Sequence, residues 1–218
     1  MNEIVVFDLD GTLLSNDSTK YWLSKQLKSN ILRFISAIII LPVAIPLMKF
    51  KKSKSLGASL FLWIATCGLN RTQLEENLNH FAVNVKNNSI SNLYWFKDGL
   101  AVLNNHLDEG RSIIIVTASP EPLAKALFKS MHLDVKVIGT PLKNIMGGWI
   151  GGVHCRHTEK LKRLKREGVN PYWYATYSDD IEEDYPILQG ARYAYLINGH
   201  YKNLLNKKLE NIRFLEWK

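Results

Sequence analysis

Asp8 and Asp10 stand two residues apart at the end of the apolar run Ile4-Val5-Val6-Phe7 and are followed at once by Gly11 and Thr12. In extended backbone, residues i and i+2 face the same side, so this spacing aims both carboxylates at one point beyond the end of a strand. Two carboxylates brought that close repel unless a cation or a shared proton lies between them, which makes Mg²⁺ the expected companion at neutral pH. The chemistry open to the pair is attack by Asp8 on a phosphoryl group to form a phosphoaspartate. Asp10 would protonate the leaving oxygen and then deprotonate the hydrolytic water. Gly11 permits a sharp departure of the backbone, and Thr12 offers a hydroxyl and an N–H near the anion. A bare Asp-x-Asp also suits a solvated turn, so the reading depends on partners elsewhere in the chain.

The elements that must position those partners follow from hydrophobic patterning. Short apolar runs rich in β-branched residues at 3–7, 112–117, 134–138, 172–177 and 191–197 predict strands. Helical spacing at 120–131, 158–167 and 182–189 alternates with them, which argues for βαβ units on a parallel sheet. Roughly a hundred residues separate the first two strands, far more than an ordinary connection, and helical periodicity recurs there at 18–27, 56–67 and 72–85. A further helix at 98–107 leads into the second strand. The expected architecture is α/β, a Rossmann-like parallel sheet core with a helical cap inserted after the first strand. Residues 1–16 and 97–218 form the core and 17–96 the cap. The glycine-rich segment 136–155 suits a β-hairpin or flap.

The sequence has 218 residues and a formal net charge of +8, an excess that favours anionic partners without choosing among them. No nucleic-acid reader motif accompanies the basic residues, and nucleic acid is not expected as a partner. Cys67 and Cys155 lie far apart without metal-ligand spacing, so a reducing compartment is the simpler expectation. The first residues run directly into an apolar strand with no basic n-region or cleavage site, so a cytosolic catalytic part is expected.

The run from Phe7 to Leu14 resembles the first motif of the haloacid-dehalogenase superfamily, and the resemblance implies three further motifs. The second is a strand-end hydroxyl, Thr117, which with Ala118 and Ser119 would hold phosphate oxygens at a helix start. Ser119 before Pro120 also reads as an ordinary helix cap. The third is Lys160 in His157-Thr158-Glu159-Lys160, as in phosphoserine-phosphatase-like branches, neutralising Asp8 and the phosphoryl oxygens. Lys162, Arg163, Lys165 and Arg166 on the same helix read as a solvated face. The fourth is the acidic run from Asp179 to Asp184, whose register departs from the usual spacing. Asp179 with Asp184 is expected to complete the metal site with Asp8 and Asp10, and Asp180 and Glu183 are the alternates.

One segment, 31–48, carries a single charge, Arg33. As a helix it would span about 27 Å, close to the roughly 30 Å hydrocarbon core of a bilayer. Pro42 and Pro46 are expected to interrupt it, and a lone crossing would put the first strand and the rest of the core on opposite sides. A shallow or re-entrant element therefore fits better, with Lys49, Lys51, Lys52 and Lys54 meeting anionic headgroups. The alternative is that the segment forms the buried centre of the cap. Together with Leu60-Phe61-Leu62-Trp63, Gly147-Gly148-Trp149 and Tyr177-Ser178-Asp179, the segment resembles the phosphatidylglycerophosphatase C family of Gram-negative bacteria. That resemblance implies a lipid phosphomonoester substrate and a position at the cytoplasmic face of the inner membrane. A soluble phosphatase for phosphoserine or phosphocholine, or a non-catalytic module for anionic surfaces, are the other readings.

Overall fold

Residues 3–50, 54–199 and 212–218 are described by a computed structural model. In chain order the elements begin with β1 (Ile4–Phe7), α1 (Ser18–Lys28), α2 (Ile31–Lys49), α3 (Lys54–Thr66), α4 (Arg71–Lys86) and α5 (Lys97–Asp108). There follow β2 (Ser112–Pro120), α6 (Glu121–Ser130), β3 (Lys136–Thr140), β4 (Leu142–Ile145), β5 (Gly148–Gly151) and α7 (Thr158–Arg166). The chain continues with β6 (Trp173–Ser178), α8 (Ile181–Gln189), β7 (Ala191–Ile197) and β8 (Ile212–Leu215).

Six strands form one sheet in the order β3-β2-β1-β6-β7-β8, and every pairing in it is parallel. Along β1, Val5 and Phe7 enter one buried cluster while Val6 enters another. Both faces of the strand are therefore covered, which is why it reads as a continuous apolar run rather than an alternating one. Leu103 of α5 and Leu123 and Leu127 of α6 lie in the first cluster, and Leu164 of α7 and Ile187 of α8 lie in the second. This is the expected α/β core, with one strand more than its apolar runs announce. β8 is a four-residue edge strand whose Arg213 interrupts the apolar pattern, and it is defined by pairing with β7 rather than by its own composition. Segment 136–155 divides: 136–140 joins the main sheet as β3, while β4 and β5 form the antiparallel hairpin.

Helices α1 to α4 occupy the long interval after β1. The chain leaves and re-enters the core along one seam, where Ser15 donates to the Tyr94 carbonyl and Phe96 to that of Leu13, both at 2.9 Å. α2 and α3 form an antiparallel pair: the Arg33 guanidinium donates to the Cys67 carbonyl at one end, and Gly57 meets Ala44 and Met48 at the other. A Cβ at Gly57 would lie 2.6 Å from Met48 Cγ, so glycine sets the closeness of this packing.

Two expectations for segment 31–48 are corrected. Pro42 and Pro46 lie inside a continuous helix. Each removes one backbone bond, and the seam through Ala37 and Ala44 against α3 holds the helix across them. Nor is the segment the buried centre of the cap, because only 11% of it is buried. Ile31, Leu32, Ile38, Ile39, Val43 and Ile45 are all exposed. Since α3 brings the chain back beside α2, an apolar α2 no longer requires the two parts of the core to lie on opposite sides of a membrane. Lys49 is exposed, while Lys51, Lys52 and the Lys54 side chain lie outside what the structure describes.

Beneath the sheet, His106 of α5 joins the core to its edge. Arg111 has only donors, so its contact of 2.9 Å with Nδ1 makes that nitrogen an acceptor; Nε2–H then donates to the Tyr177 hydroxyl at 3.0 Å. Burial, and then the Arg111 charge, lower the His106 pKa from its ordinary 6.5. Below about pH 6.5 the unfolded chain binds a proton that the folded chain refuses, so this contribution to stability is complete above that pH and is lost as the pH falls. We expect the difference in unfolding free energy between wild type and His106→Gln to be larger at pH 7.5 than at pH 5.5, by urea titration. An unchanged difference would remove His106 from this role.

Candidate active site

The strand order reverses between β1 and β6, and the carboxyl ends of two strands diverging in this way form the crevice where open α/β sheets hold ligands. Asp8 follows β1 and Asp179 follows β6, with the Asp8 N–H donating to the Tyr177 carbonyl at 2.9 Å. Directly behind them, Phe7, Tyr177 and Tyr195 are cross-strand neighbours. Their rings stack at centroid separations of 4.5 and 4.6 Å. Stacked rings immediately before Asp8 and two residues before Asp179 keep the strand ends from shifting against each other.

Lys160, at the start of α7 and 2% exposed, lies between two buried carboxylates. Its Nζ is 2.6 Å from Asp8 Oδ1, and 2.7 and 2.9 Å from the two oxygens of Asp184. Burial alone would lower the lysine pKa, but Asp184 and Asp8 reverse this and raise it above its ordinary value. For Asp8, burial raises the pKa most; Lys160 opposes it, while Asp184 and Asp179 add repulsion. The Asp8 carboxyl therefore rests well above the usual carboxylate range, and any added positive charge beside it would favour its ionised form.

Asp179 is held through Thr12, whose hydroxyl donates to Oδ1 at 3.2 Å and accepts the Asp179 N–H at 2.9 Å. Burial and then repulsion from Asp184 push Asp179 up to about 7. Gly11 lies beneath it with φ +81°, and a Cβ there would fall 2.1 Å from Asp179 Oδ2. Asp10 is turned the other way, towards the cap. The Ser119 hydroxyl donates to its Oδ2 at 2.5 Å and the Ser18 N–H to its Oδ1 at 2.7 Å. Since the single Ser119 proton is directed at Asp10, the Thr19 hydroxyl 2.6 Å away donates to Ser119. Burial and the nearby Asp17 raise Asp10 to about 6.

Thr117 and Ala118 lie where β2 loses register with β3, between Val116 and Pro120, an irregularity that turns backbone groups into a site. The Thr117 hydroxyl accepts the Ser119 N–H at 3.1 Å, and the Ala118 carbonyl accepts from Thr140 at 2.6 Å.

Placement alters several expected roles. Ser119 holds Asp10 rather than standing free for a phosphate. Asp184, expected as a metal ligand, is bound by Lys160 and by the Ser178 hydroxyl, which donates to it at 2.7 Å. Asp180 caps α8 by accepting the N–H groups of Glu182 and Glu183, and Glu183 pairs with Arg156 at 3.1 Å. Arg163 leaves the solvated face to donate to the carbonyls of Gly139 and Val153. The sequence reading passed over Ser18, Thr19 and Ser178. Each is a small hydroxyl residue at a helix start or a strand end, where local pattern gives it an ordinary capping or strand role.

Two predictions follow from these contacts. Lys160→Met leaves Asp8 and Asp184 buried together without a cation, weakening the fold by about 3–5 kcal/mol at neutral pH. Urea unfolding measures this loss, and Asp184→Asn in the same chain should recover part of it. Gly11→Ala costs about 1–2 kcal/mol for the left-handed backbone and forces Asp179 aside, so we expect turnover to fall more than the thermal midpoint alone would suggest.

The comparisons with known proteins agree with this architecture. The chain is 29% identical over 171 residues to protein CicA of Caulobacter vibrioides, covering 74% of this chain and 71% of that protein. A crystal structure of a protein of unknown function from Bordetella pertussis Tohama I has a TM-score of 0.71 at 18% identity, covering 93% of each chain. A substrate-bound phosphoserine phosphatase has a TM-score of 0.57 at 13% identity, covering 93% of this chain and 89% of its own, a likeness of fold. The model of the haloacid dehalogenase-like hydrolases matches residues 5–189, which include Asp8, Asp10, Thr117, Lys160 and Asp179. With its strand-end carboxylates and buried lysine in the frame of that match, the chain belongs to the haloacid dehalogenase-like hydrolases.

Proposed function

We propose that the protein is a Mg²⁺-dependent phosphomonoester hydrolase that works through a phosphoaspartate on Asp8 and acts on a phospholipid headgroup of the phosphatidylglycerophosphate type. The observation that carries the reaction is the division of labour between the two motif carboxylates: Lys160 holds Asp8, while Ser119 and the Ser18 N–H hold Asp10. With Lys160 on Oδ1, Oδ2 of Asp8 is the oxygen that attacks phosphorus. The bond from phosphorus to the leaving oxygen breaks, and Asp10, raised to about 6, delivers its proton to that oxygen. Asp10 then takes a proton from the attacking water, phosphate departs, and the Asp8 carboxylate is restored. Thr117 and the backbone of Ala118, at the break in β2, with the Lys160 charge, bind the phosphoryl oxygens.

Mg²⁺ fits the carboxylates present. Asp8 and Asp179 are destabilised in their ionised forms by burial and by neighbouring acids, Asp184 in both cases, and a hard divalent cation bound through one or two carboxylates plus a substrate phosphate relieves this. Bound there, the cation would offset charge on the phosphoryl group and draw the pKa values of both acids down. Chelation should stop phosphate release and added Mg²⁺ restore it. The thermal midpoint should also rise with Mg²⁺ in the wild type and much less in Asp179→Asn.

The lipid substrate is supported by α2, whose most apolar 18-residue stretch has a mean hydropathy of 2.4 and whose apolar side chains face outward from the cap. An anionic membrane surface, with Lys49 at one end of the helix, is the partner of matching chemistry. The test is phosphate release from phosphatidylglycerophosphate, phosphatidic acid, lysophosphatidic acid, phosphoserine, phosphocholine and nucleotides under Mg²⁺. Asp8→Asn should abolish release from every substrate while leaving the fold intact. Preference for phosphoserine or phosphocholine over all lipids would replace the lipid reading with that of a soluble phosphatase.

A further inference from the structure

We propose that the tip of the β4–β5 hairpin, Ile145 and Met146, is a second contact with an anionic bilayer, continuous with the outer face of α2. This rests on the membrane reading above and adds an element that lies outside the cap sequence. Met146 is 89% exposed and Ile145 44% exposed. The two-residue turn has Met146 at φ 49° and Gly147 at φ 78°, a conformation in which asparagine or aspartate before glycine is the ordinary choice. A methionine there carries a backbone cost, and at 89% exposure no packing partner among the described residues offsets it.

The tip is rigidly mounted. The Trp63 indole donates to the Ile145 carbonyl at 2.9 Å, and its ring lies where a Cβ on Gly148 would fall 2.6 Å away. The Trp149 N–H donates to the Thr66 hydroxyl and its indole to the Leu69 carbonyl, both at 2.9 Å. Gly68 donates to the Gly147 carbonyl at 2.7 Å, and its neighbour Cys67 accepts from Arg33 of α2. The hairpin tip is therefore fixed beside the first turn of α2, where Ile31 is 69% and Leu32 70% exposed. Two separate elements thus place large apolar side chains on one stretch of surface, which distinguishes it from singly scattered surface residues.

Charge selects the occupant. Lys25 and Lys28 at the end of α1, which leads into the first turn of α2, and Lys143 on β4 are exposed beside this surface, and Lys49 is exposed at the far end of α2. A basic rim around apolar side chains matches anionic headgroups over hydrocarbon, whereas a second copy docked face to face would oppose lysine to lysine. The position also orients the enzyme: β4 leaves the carboxyl end of β3, the end of the sheet at which Asp8, Asp10 and Asp179 lie. Seating both α2 and the tip would turn that end towards the lipid.

The test uses the full chain and vesicles of phosphatidylcholine, alone or mixed with phosphatidylglycerol. Ile145→Glu with Met146→Glu should weaken sedimentation with the mixed vesicles at least about tenfold. Met146→Asn, which suits the turn, should weaken it by a smaller factor and serves as the folded control. Hydrolysis of a small soluble phosphomonoester should be unchanged in both. Wild-type affinity in the hairpin variants would overturn the second contact. If the wild type ignores the mixed vesicles, or Ile38→Glu with Ile39→Glu binds them normally, the membrane reading itself fails. A concentration-dependent dimer in the wild type that the hairpin variant abolishes without lipid would assign the surface to a second copy and overturn the proposal.

Discussion

The structure turns on one buried cation. Lys160 sits between Asp8 and Asp184 with almost no contact with water, and removing a charge from a buried set of this kind costs far more than the set adds over apolar packing. Such an arrangement persists only where the surrounding elements dictate it. β1 brings Asp8, the first turn of α7 brings Lys160, and α8 brings Asp184 back beneath them. Ser178 donates to the same Asp184 oxygen, Oδ2, that Lys160 meets, which fixes the carboxylate between the hydroxyl and the lysine. The same geometry restrains one oxygen of Asp8 through the lysine.

Asp10 belongs to a different environment. Its partners come from the start of α1 and the break in β2, which places this carboxylate under the control of the cap as well as the core. Thr19, also on α1, reaches the same acid through Ser119. α1 in turn packs against α2 and α3. The element that touches Asp10 is therefore the one that carries the outward-facing apolar helix, and the paired strands of chain at 13–15 and 94–96 are the connection about which cap and core meet.

The hairpin after β3 gives a second tie between these parts. Through Trp63, Thr66 and Trp149 it is attached to α3, and through Arg163 its base is attached to the helix that bears Lys160. Glycine at 148 is required by the tryptophan packed on it, not by backbone freedom.

Local pattern in the sequence determined the alternating core, the strand that carries Asp8 and Asp10, and the helix that starts near Lys160, because each depends on neighbours within a few residues. It also marked 31–48 as apolar. Tertiary structure alone decided which acid of the fourth run meets Lys160, since Asp179, Asp180, Glu183 and Asp184 differ little in sequence terms and are separated by which long-range partner each finds. The same holds for Ser119, whose hydroxyl looks like a phosphate ligand until Asp10 is seen 109 positions away in sequence. It holds for β8, which exists through pairing with β7, and for α2, whose exposure depends on how little of it α3 covers. Hydrophobicity can be read residue by residue, but burial and hydrogen bonding belong to pairs of residues, and those pairs form only when the chain closes on itself.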